Sequence, residues 1–226
     1  MSYQHYNLYK RNKINIIQFV FGPFQENTFV IWSENNQQAI VIDPGMSNGQ
    51  EENIFQNALQ EHNLILKAIY NTHCHIDHIM GVGYLQKKDS IVFYHHPTEE
   101  SNIHRSSQMS ALWNIPYSPP IEKGKSLTEG ETWQIGEEIF EVIEVPGHCE
   151  GHLAFIHHDS KTIFSGDVIF RESIGRTDLP GGNIDVIQNS IYRLYTFPNE
   201  YVIFNGHGPE TTIGHEKNHN PFFPLR

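Results

Sequence analysis

The most informative segment of the sequence is Thr72-His73-Cys74-His75-Ile76-Asp77-His78. It places three histidines and one aspartate within six positions, directly after the mostly apolar segment Ile65–Tyr70. Where a strand opens into a loop, closely spaced side chains can converge on one point. Imidazole and carboxylate groups together suit zinc, iron or manganese. A solvated polar turn is the alternative interpretation, and it is weakened because further ligand-type residues recur in the same context.

Three more ligand candidates each follow an apolar segment that we interpret as a strand. These are His148 in Pro146-Gly147-His148, Asp167 at the end of Phe164-Ser165-Gly166-Asp167, and His207 after Tyr201–Phe204. Strand ends at one edge of a sheet bring together residues from distant parts of a chain, and neighbouring glycines let the backbone approach closely. Two aspartates buried there without a cation would be costly. The pattern therefore predicts a metal site assembled from four segments.

The order of apolar segments predicts two similar halves. In each half, strand-like segments are followed by a helix and a further strand. Helical spacing of apolar residues indicates the two helices, one over Glu51–His62 and one that starts after Asn183, a good N-cap residue. Each sheet needs a partner layer to bury its apolar face. We therefore expect an α+β fold with two mixed sheets packed face to face and helices outside.

Composition and charge exclude several classes of protein. The 226 residues are 38% hydrophobic and 12% aromatic, unlike a disordered chain. Acidic residues outnumber basic ones 26 to 15, for a formal charge of -11, which argues against nucleic acid as a partner. The two cysteines, Cys74 and Cys149, are too few for a disulfide scaffold. Since no apolar run has the length of a signal peptide or membrane span, we expect a cytoplasmic protein without a membrane partner.

The four motifs T-H-x-H-x-D-H, P-G-H, S-G-D and G-H-G-P, in this order, resemble those of the metallo-β-lactamase superfamily. The resemblance extends roughly from Phe19 to Pro221. It implies a four-layer αβ/βα sandwich and a binuclear site for two divalent ions, with zinc as the first expectation and iron or manganese as alternatives. It assigns His73, His75 and His148 to the first metal, Asp77, His78 and His207 to the second, and Asp167 to both as a bridging carboxylate.

The resemblance also implies roles for two aspartates beyond this ligand set. Asp77 would be catalytic, because it could orient the attacking hydroxide. Asp43, in Ile42-Asp43-Pro44-Gly45, matches an early family motif that supports the site from behind. For Asp43, an ordinary turn residue before proline is an equal alternative.

Two later stretches, Phe170–Gly182 and Gly206–Glu216, resemble the compact type-II-glyoxalase-like branch. That branch implies hydrolysis of a small acyl-thioester such as S-lactoylglutathione by a metal-bridging hydroxide. Full type II glyoxalases add a C-terminal helical region that helps to bind glutathione, and we expect no such domain here but a single domain over residues 1–226. Arg171 and Arg176 are candidates for contacts with an anionic part of the substrate. For Arg176, a salt bridge to an acid such as Asp178 is an equal alternative.

Two other functions stay open. Persulfide dioxygenases share the T-H-C-H and G-R-T-D motifs and bind a single iron at positions that match His73, His148 and Asp167. Their last motif reads more like A-H-D-Y than the G-H-G-P around His207. The second alternative is a non-catalytic metal binder or buffer, in which pairs such as His95-His96 would also serve as ligands. The oligomeric state is left open.

Overall fold

The computed structural model describes residues 5–34 and 36–225. Within these ranges the strands form a sheet of seven, a sheet of six and a two-stranded hairpin. The first sheet contains, from edge to edge, β1 (Asn7–Arg11), β2 (Ile14–Phe21), β3 (Glu26–Ser33), β4 (Gln38–Ile42), β5 (Ile65–Tyr70), β6 (Val92–His95) and β7 (Lys125–Ser126). It is antiparallel from β1 to β4 and parallel from β4 to β7.

The second sheet is also mixed. Its strands are β8 (Thr132–Ile135), β9 (Glu138–Glu144), β10 (Leu153–His157), β11 (Thr162–Gly166), β14 (Val202–Asn205) and β15 (Thr211–Thr212). They are ordered β15-β14-β11-β10-β9-β8, and β11 and β14 are the parallel pair. The hairpin consists of β12 (Ile169–Phe170) and β13 (Ser173–Ile174), which are antiparallel.

Helices connect and cover the sheets. They are α1 (Gly49–Glu61), α2 (Ile76–Ile79), α3 (Val82–Asp89), α4 (Glu100–Trp113), α5 (Ile184–Leu194) and α6 (Ile213–His219), and a 3-10 turn over Pro97–Glu99 precedes α4. Asn183 caps α5, as predicted, because its side chain accepts from the backbone N–H groups of Asp185 and Val186. None of the helices in the described residues combines the length and apolar character needed to span a bilayer.

Three apolar clusters define four layers. Alternate residues of the first sheet, such as Ile16 and Phe29, pack between the sheets against residues of the second sheet such as Phe155. On its other face the first sheet packs against α1 and α3, as in the contact of Phe19 with Phe55. A third cluster joins the outer face of the second sheet to α5. The predicted αβ/βα sandwich of two mixed sheets with helices outside is confirmed.

Two local features were not part of the predicted pattern. Helix α2 starts at Ile76 inside the histidine motif, and α3 follows after Gly81. The break lies at Gly81, whose N–H donates to the carbonyl of Pro44 over 2.7 Å. Strand β1 has no sequence signal, because an edge strand of polar and tyrosine residues buries little on either face. Residues 1–4, 35 and 226 lie outside the described residues, so the single domain over 1–226 stays a prediction.

Candidate metal centre

The seven predicted ligands follow strand ends at one edge of the two sheets. The histidine motif follows β5 and runs into α2, and the other ligands follow β9, β11 and β14. Six of them form two groups of three, and within each group one ring nitrogen or carboxylate oxygen per residue lies within 4.8 Å of the others. The first group is His73, His75 and His148, and the second is Asp77, His78 and His207. The strand-end pattern of the sequence therefore brings the predicted residues together.

Asp167 lies between these two groups. Its Oδ2 is 3.7 Å from His148 Nε2 of the first group and 3.4 Å from His207 Nε2 of the second. Its Oδ1 is 3.5 Å from His78 Nε2. One carboxylate thus faces both groups, which is the position that a bridging ligand needs.

Glycine is required at two points of this edge. Gly147, before His148, has φ +123, and a Cβ there would lie 2.2 Å from the backbone nitrogen of Ile187. A Cβ on Gly206, before His207, would lie 2.1 Å from Asp167 Oδ1. A side chain at either position would therefore clash beside a ligand-bearing loop.

The far-side nitrogens of four histidine rings are already bonded. His73 Nδ1 donates to Thr72 Oγ1 over 3.1 Å, and His148 Nδ1 donates to the carbonyl of Arg176 over 2.8 Å. His207 Nδ1 donates to the carbonyl of Phe24 over 3.1 Å. His78 Nδ1 donates to Asp43 Oδ2 over 3.1 Å. These partners fix the ring orientations and leave the Nε2 atoms free to face the centre.

The centre-facing atoms fit a cation. Within the described part of the chain, His73 Nε2, His78 Nε2 and Asp167 Oδ1 are buried without a hydrogen-bond partner. An unsatisfied buried polar atom costs roughly 1–3 kcal/mol. His75 Nδ1 and His148 Nε2 are only 2.8 Å apart and face the same space. A set of imidazole nitrogens and carboxylate oxygens suits zinc, iron or manganese, so the residues present match the predicted cofactor class.

The pKa values of the histidines at the centre are shifted in opposite directions. Burial and the neighbouring histidines lower the pKa of His73 well below its usual value. Burial opposes the charge of His207, but hydrogen bonds to Asp167 and Asp77 outweigh it and raise its pKa to about 10. The pKa of His78 is likewise raised despite its burial, by Asp167 and Asp77. The two aspartates therefore favour the charged forms of His78 and His207.

Asp43 supports the centre from behind. Its Oδ1 accepts from the backbone N–H of Thr72 over 2.7 Å, and its Oδ2 accepts from the Thr72 hydroxyl over 2.6 Å and from His78 Nδ1. Asp43 also approaches His73 and His78 closely enough to count as a ligand group. Because both of its oxygens are already engaged, we assign it to support. Its backbone has φ +49, so it is also the turn residue of the alternative interpretation.

Two buried acids escaped the sequence analysis. Glu99 Oε2 accepts from the backbone N–H of Cys74 and from Asn102 Nδ2, both over 2.8 Å, and its Oε1 accepts from the backbone N–H of Gly151 over 3.1 Å. It thereby joins the loop between His73 and His75 to the loop after His148. No motif marks Glu99, since it lies in a run of polar residues.

The second acid, Glu26, begins β3. Its Oε1 lies 4.0 Å from His78 Nδ1. Burial raises its pKa well above the usual range. The only available signal was an acid at the start of an otherwise strand-like segment.

The two arginines proposed as substrate contacts lie in different places. Arg176 lines the cavity at the metal centre, and its guanidinium donates to both oxygens of Asp178 over 2.7 and 2.8 Å. Arg171 lines another cavity with Tyr9 and Glu210. The salt-bridge alternative for Arg176 is therefore present, and a role of either arginine in substrate binding stays a prediction.

The comparison with known families agrees with this geometry. The family model of the metallo-β-lactamase superfamily matches residues 21–207, which contain all seven predicted ligands. The chain belongs to the metallo-β-lactamase superfamily. It is 35% identical over 214 residues to the hydroxyacylglutathione hydrolase GloC of Haemophilus influenzae, covering 92% of this chain and 98% of the relative.

Two crystal structures are similar at 33% identity. One is BLEG-1, a B3 metallo-β-lactamase, with a TM-score of 0.82 over 92% of this chain and 98% of the other. The second is TTHA1623 in a di-iron-bound form, with a TM-score of 0.82 over 91% of this chain and 99% of the other. With the two ligand groups of its own, the chain is a metal-dependent hydrolase of this superfamily.

Proposed function

We propose that the protein hydrolyses acyl-thioesters in a reaction of the hydroxyacylglutathione hydrolase type, with two divalent metals at the ligand groups described above. The observation that carries the proposal is the ligand set, which is present in both groups in a chain 35% identical to GloC. Zinc is the first expectation for the metals. Iron is the main alternative, since a relative at 33% identity has a di-iron-bound form. The cytoplasmic location stays a prediction.

Bound divalent metals lower the pKa of coordinated water and polarise a carbonyl group. The chain's own residues would hold the reactants in place. Asp77 Oδ2 lies 3.3 Å from His207 Nε2. Burial raises the pKa of Asp77, but the nearby His78 and His207 outweigh this effect, so the pKa is lowered overall. An ionised carboxylate at this position can accept a hydrogen bond from attacking water and orient it. Within the described residues, neither buried cysteine reaches the ligand groups, and burial raises the pKa values of Cys74 and Cys149.

A substrate panel on protein of counted metal content tests the proposal. The panel contains S-lactoylglutathione, other acyl-thioesters, a lactone, a β-lactam and glutathione persulfide, the last with an oxygen electrode. We expect turnover of thioesters with two metals per chain. A single iron with oxygen consumption on the persulfide would overturn the proposal in favour of a dioxygenase, and β-lactam turnover without thioester turnover would overturn it in favour of a β-lactamase.

The Asp77→Ala variant separates an enzyme from a metal buffer. A hydrolase should lose most of its turnover, by about a hundred-fold or more, because a group that orients the reactants is removed. The matched control is Asp159→Ala, since Asp159 is 65% exposed in the turn after β10, outside the site. If wild-type protein binds metal but turns over none of the substrates, the metal-binder alternative is correct and the hydrolase proposal fails.

A further inference from the structure

The cavity beside the metal centre is mostly apolar. It has a volume of about 410 Å³, which is in the range of small-molecule sites. One apolar group comes from the turn between β2 and β3 and from α4, and consists of Phe24, Met109 and Trp113. A second comes from the β12–β13 hairpin and the loop after it, and consists of Phe170, Ile174 and Leu179.

Both apolar groups adjoin the same metal-ligand candidate, His207. The carbonyl of Phe24 accepts from His207 Nδ1, and the Phe170 ring centroid lies 6.0 Å from that of His207. The rings of Phe24 and Trp113 have centroids 6.1 Å apart and are 38% and 48% exposed. Binding of an apolar ligand is favourable at exposed aromatic surfaces such as these, because it removes them from water.

The cavity offers little to an anion. Apart from the histidines of the metal centre, Arg176 is the one cationic side chain among the described residues that line it. Its charge is already paired with Asp178, and its side chain is 60% exposed. Arg171 faces the other cavity, with Glu210. A carboxylate on the substrate would therefore find no unpaired cation among the lining residues described.

We infer that this chain selects thioesters in which the acyl group and the neighbouring part of the thiol are both uncharged and apolar. The inference rests on the proposed function, thioester hydrolysis, and narrows its substrate class. Glutathione carries two carboxylates, and placing them against this cavity would desolvate charge without a partner. An apolar acyl chain instead removes the exposed rings of Phe24 and Trp113 from water.

Matched substrates test the inference. Acetyl, butanoyl and hexanoyl thioesters of uncharged N-acetylcysteamine are compared with glutathione thioesters of the same acyl groups. We expect kcat/KM to rise by about two- to four-fold for each added methylene, as burial of apolar surface predicts. We also expect each cysteamine thioester to exceed its glutathione counterpart. Both leaving groups are primary alkyl thiols, so the comparison keeps the reacting bond and removes the charged peptide part of glutathione.

Two neighbouring variants locate the effect. Trp113→Ala should flatten the dependence of kcat/KM on acyl length, with bound metal unchanged, because Trp113 lines the cavity and is not itself a ligand candidate. Leu112→Ala is the matched control, since Leu112 is 78% exposed on the same helix and does not line the cavity. The control should keep the wild-type dependence. Phe24→Ala provides a second test from a different element.

The outcomes distinguish the two proposals. If glutathione thioesters are the better substrates and acyl length has no effect, the selectivity inference fails while thioester hydrolysis stands. Equal slopes for wild type and Trp113→Ala would also overturn the inference, because they would place the acyl chain elsewhere. If metal-loaded protein hydrolyses none of these thioesters, the proposed function itself fails.

Discussion

Glu99 offers the sharpest test of how the metal loops are held. Its carboxylate is 1% exposed and accepts from the backbone N–H groups of Cys74 and Gly151 and from Asn102. Glu99→Ala leaves three buried donors without this acceptor, at about 1–3 kcal/mol each, so we expect a loss of about 3–9 kcal/mol in the free energy of unfolding. Glu99→Gln keeps one acceptor oxygen but turns an N–H donor toward another donor. We therefore expect it to lower the free energy of unfolding by about 1–3 kcal/mol.

Urea unfolding of the metal-free protein measures the stability, and competition with a chelator measures metal affinity. Since Glu99 spans the loops that carry His73, His75 and His148, we expect Glu99→Gln to weaken binding of one metal by about ten- to a hundred-fold. Glu100→Gln is the matched control, because Glu100 is exposed and pairs with the exposed Lys123. If Glu99→Gln unfolds and binds metal as wild type does, the loops are held by something else. Lost stability with unchanged metal affinity would refute the positioning role alone.

Two further predictions concern the second group of ligands. Asp43→Asn should weaken metal binding there by about ten- to a hundred-fold, because the amide cannot accept from both Thr72 and His78. Competition with a chelator measures this affinity, and an unchanged affinity would contradict the support role of Asp43. Metal binding should also release protons, because the pKa of His207 is raised to about 10, so that it carries a proton near pH 7.5, and the pKa of His78 is raised in the same direction. The apparent affinity should therefore rise with pH up to about 10, and calorimetry in buffers of different ionisation enthalpy should count the protons; no release would show that both rings are neutral.

The sequence predicts the fold and the set of site residues because both are encoded locally. Each ligand candidate sits just past an apolar segment, and β5 has the expected bounds. Strand ends at one edge of packed sheets must meet, so the convergence of the histidine motif with His148 and His207 follows from the segment order alone. Asp43 was predicted from the resemblance to an early family motif, and in the structure it follows β4 directly.

The remaining features depend on long-range contacts. Glu99 bonds to a residue 52 positions away, and nothing in its local sequence distinguishes it from the neighbouring acid Glu100. The placement of Arg171 could not be predicted from the sequence either. The β12–β13 hairpin turns between Phe170 and Ser173, which line the cavity at the metal centre, whereas Arg171 lines a different cavity. Position just past a ligand does not determine which way a hairpin side chain faces.

The two ligand groups are held by different means, and this difference has a consequence for metal binding. The loops of the first group are fixed through backbone N–H groups that donate to Glu99. In the second group, Asp43 bonds directly to the His78 ring, with the buried Glu26 carboxyl 4.0 Å from the same nitrogen. A change at Asp43 therefore alters the proton and orientation of a ligand, whereas a change at Glu99 alters where ligands stand. Both changes should lower metal affinity, and the change at Asp43 should alter its pH dependence more strongly, because Asp43 bonds directly to a ligand ring.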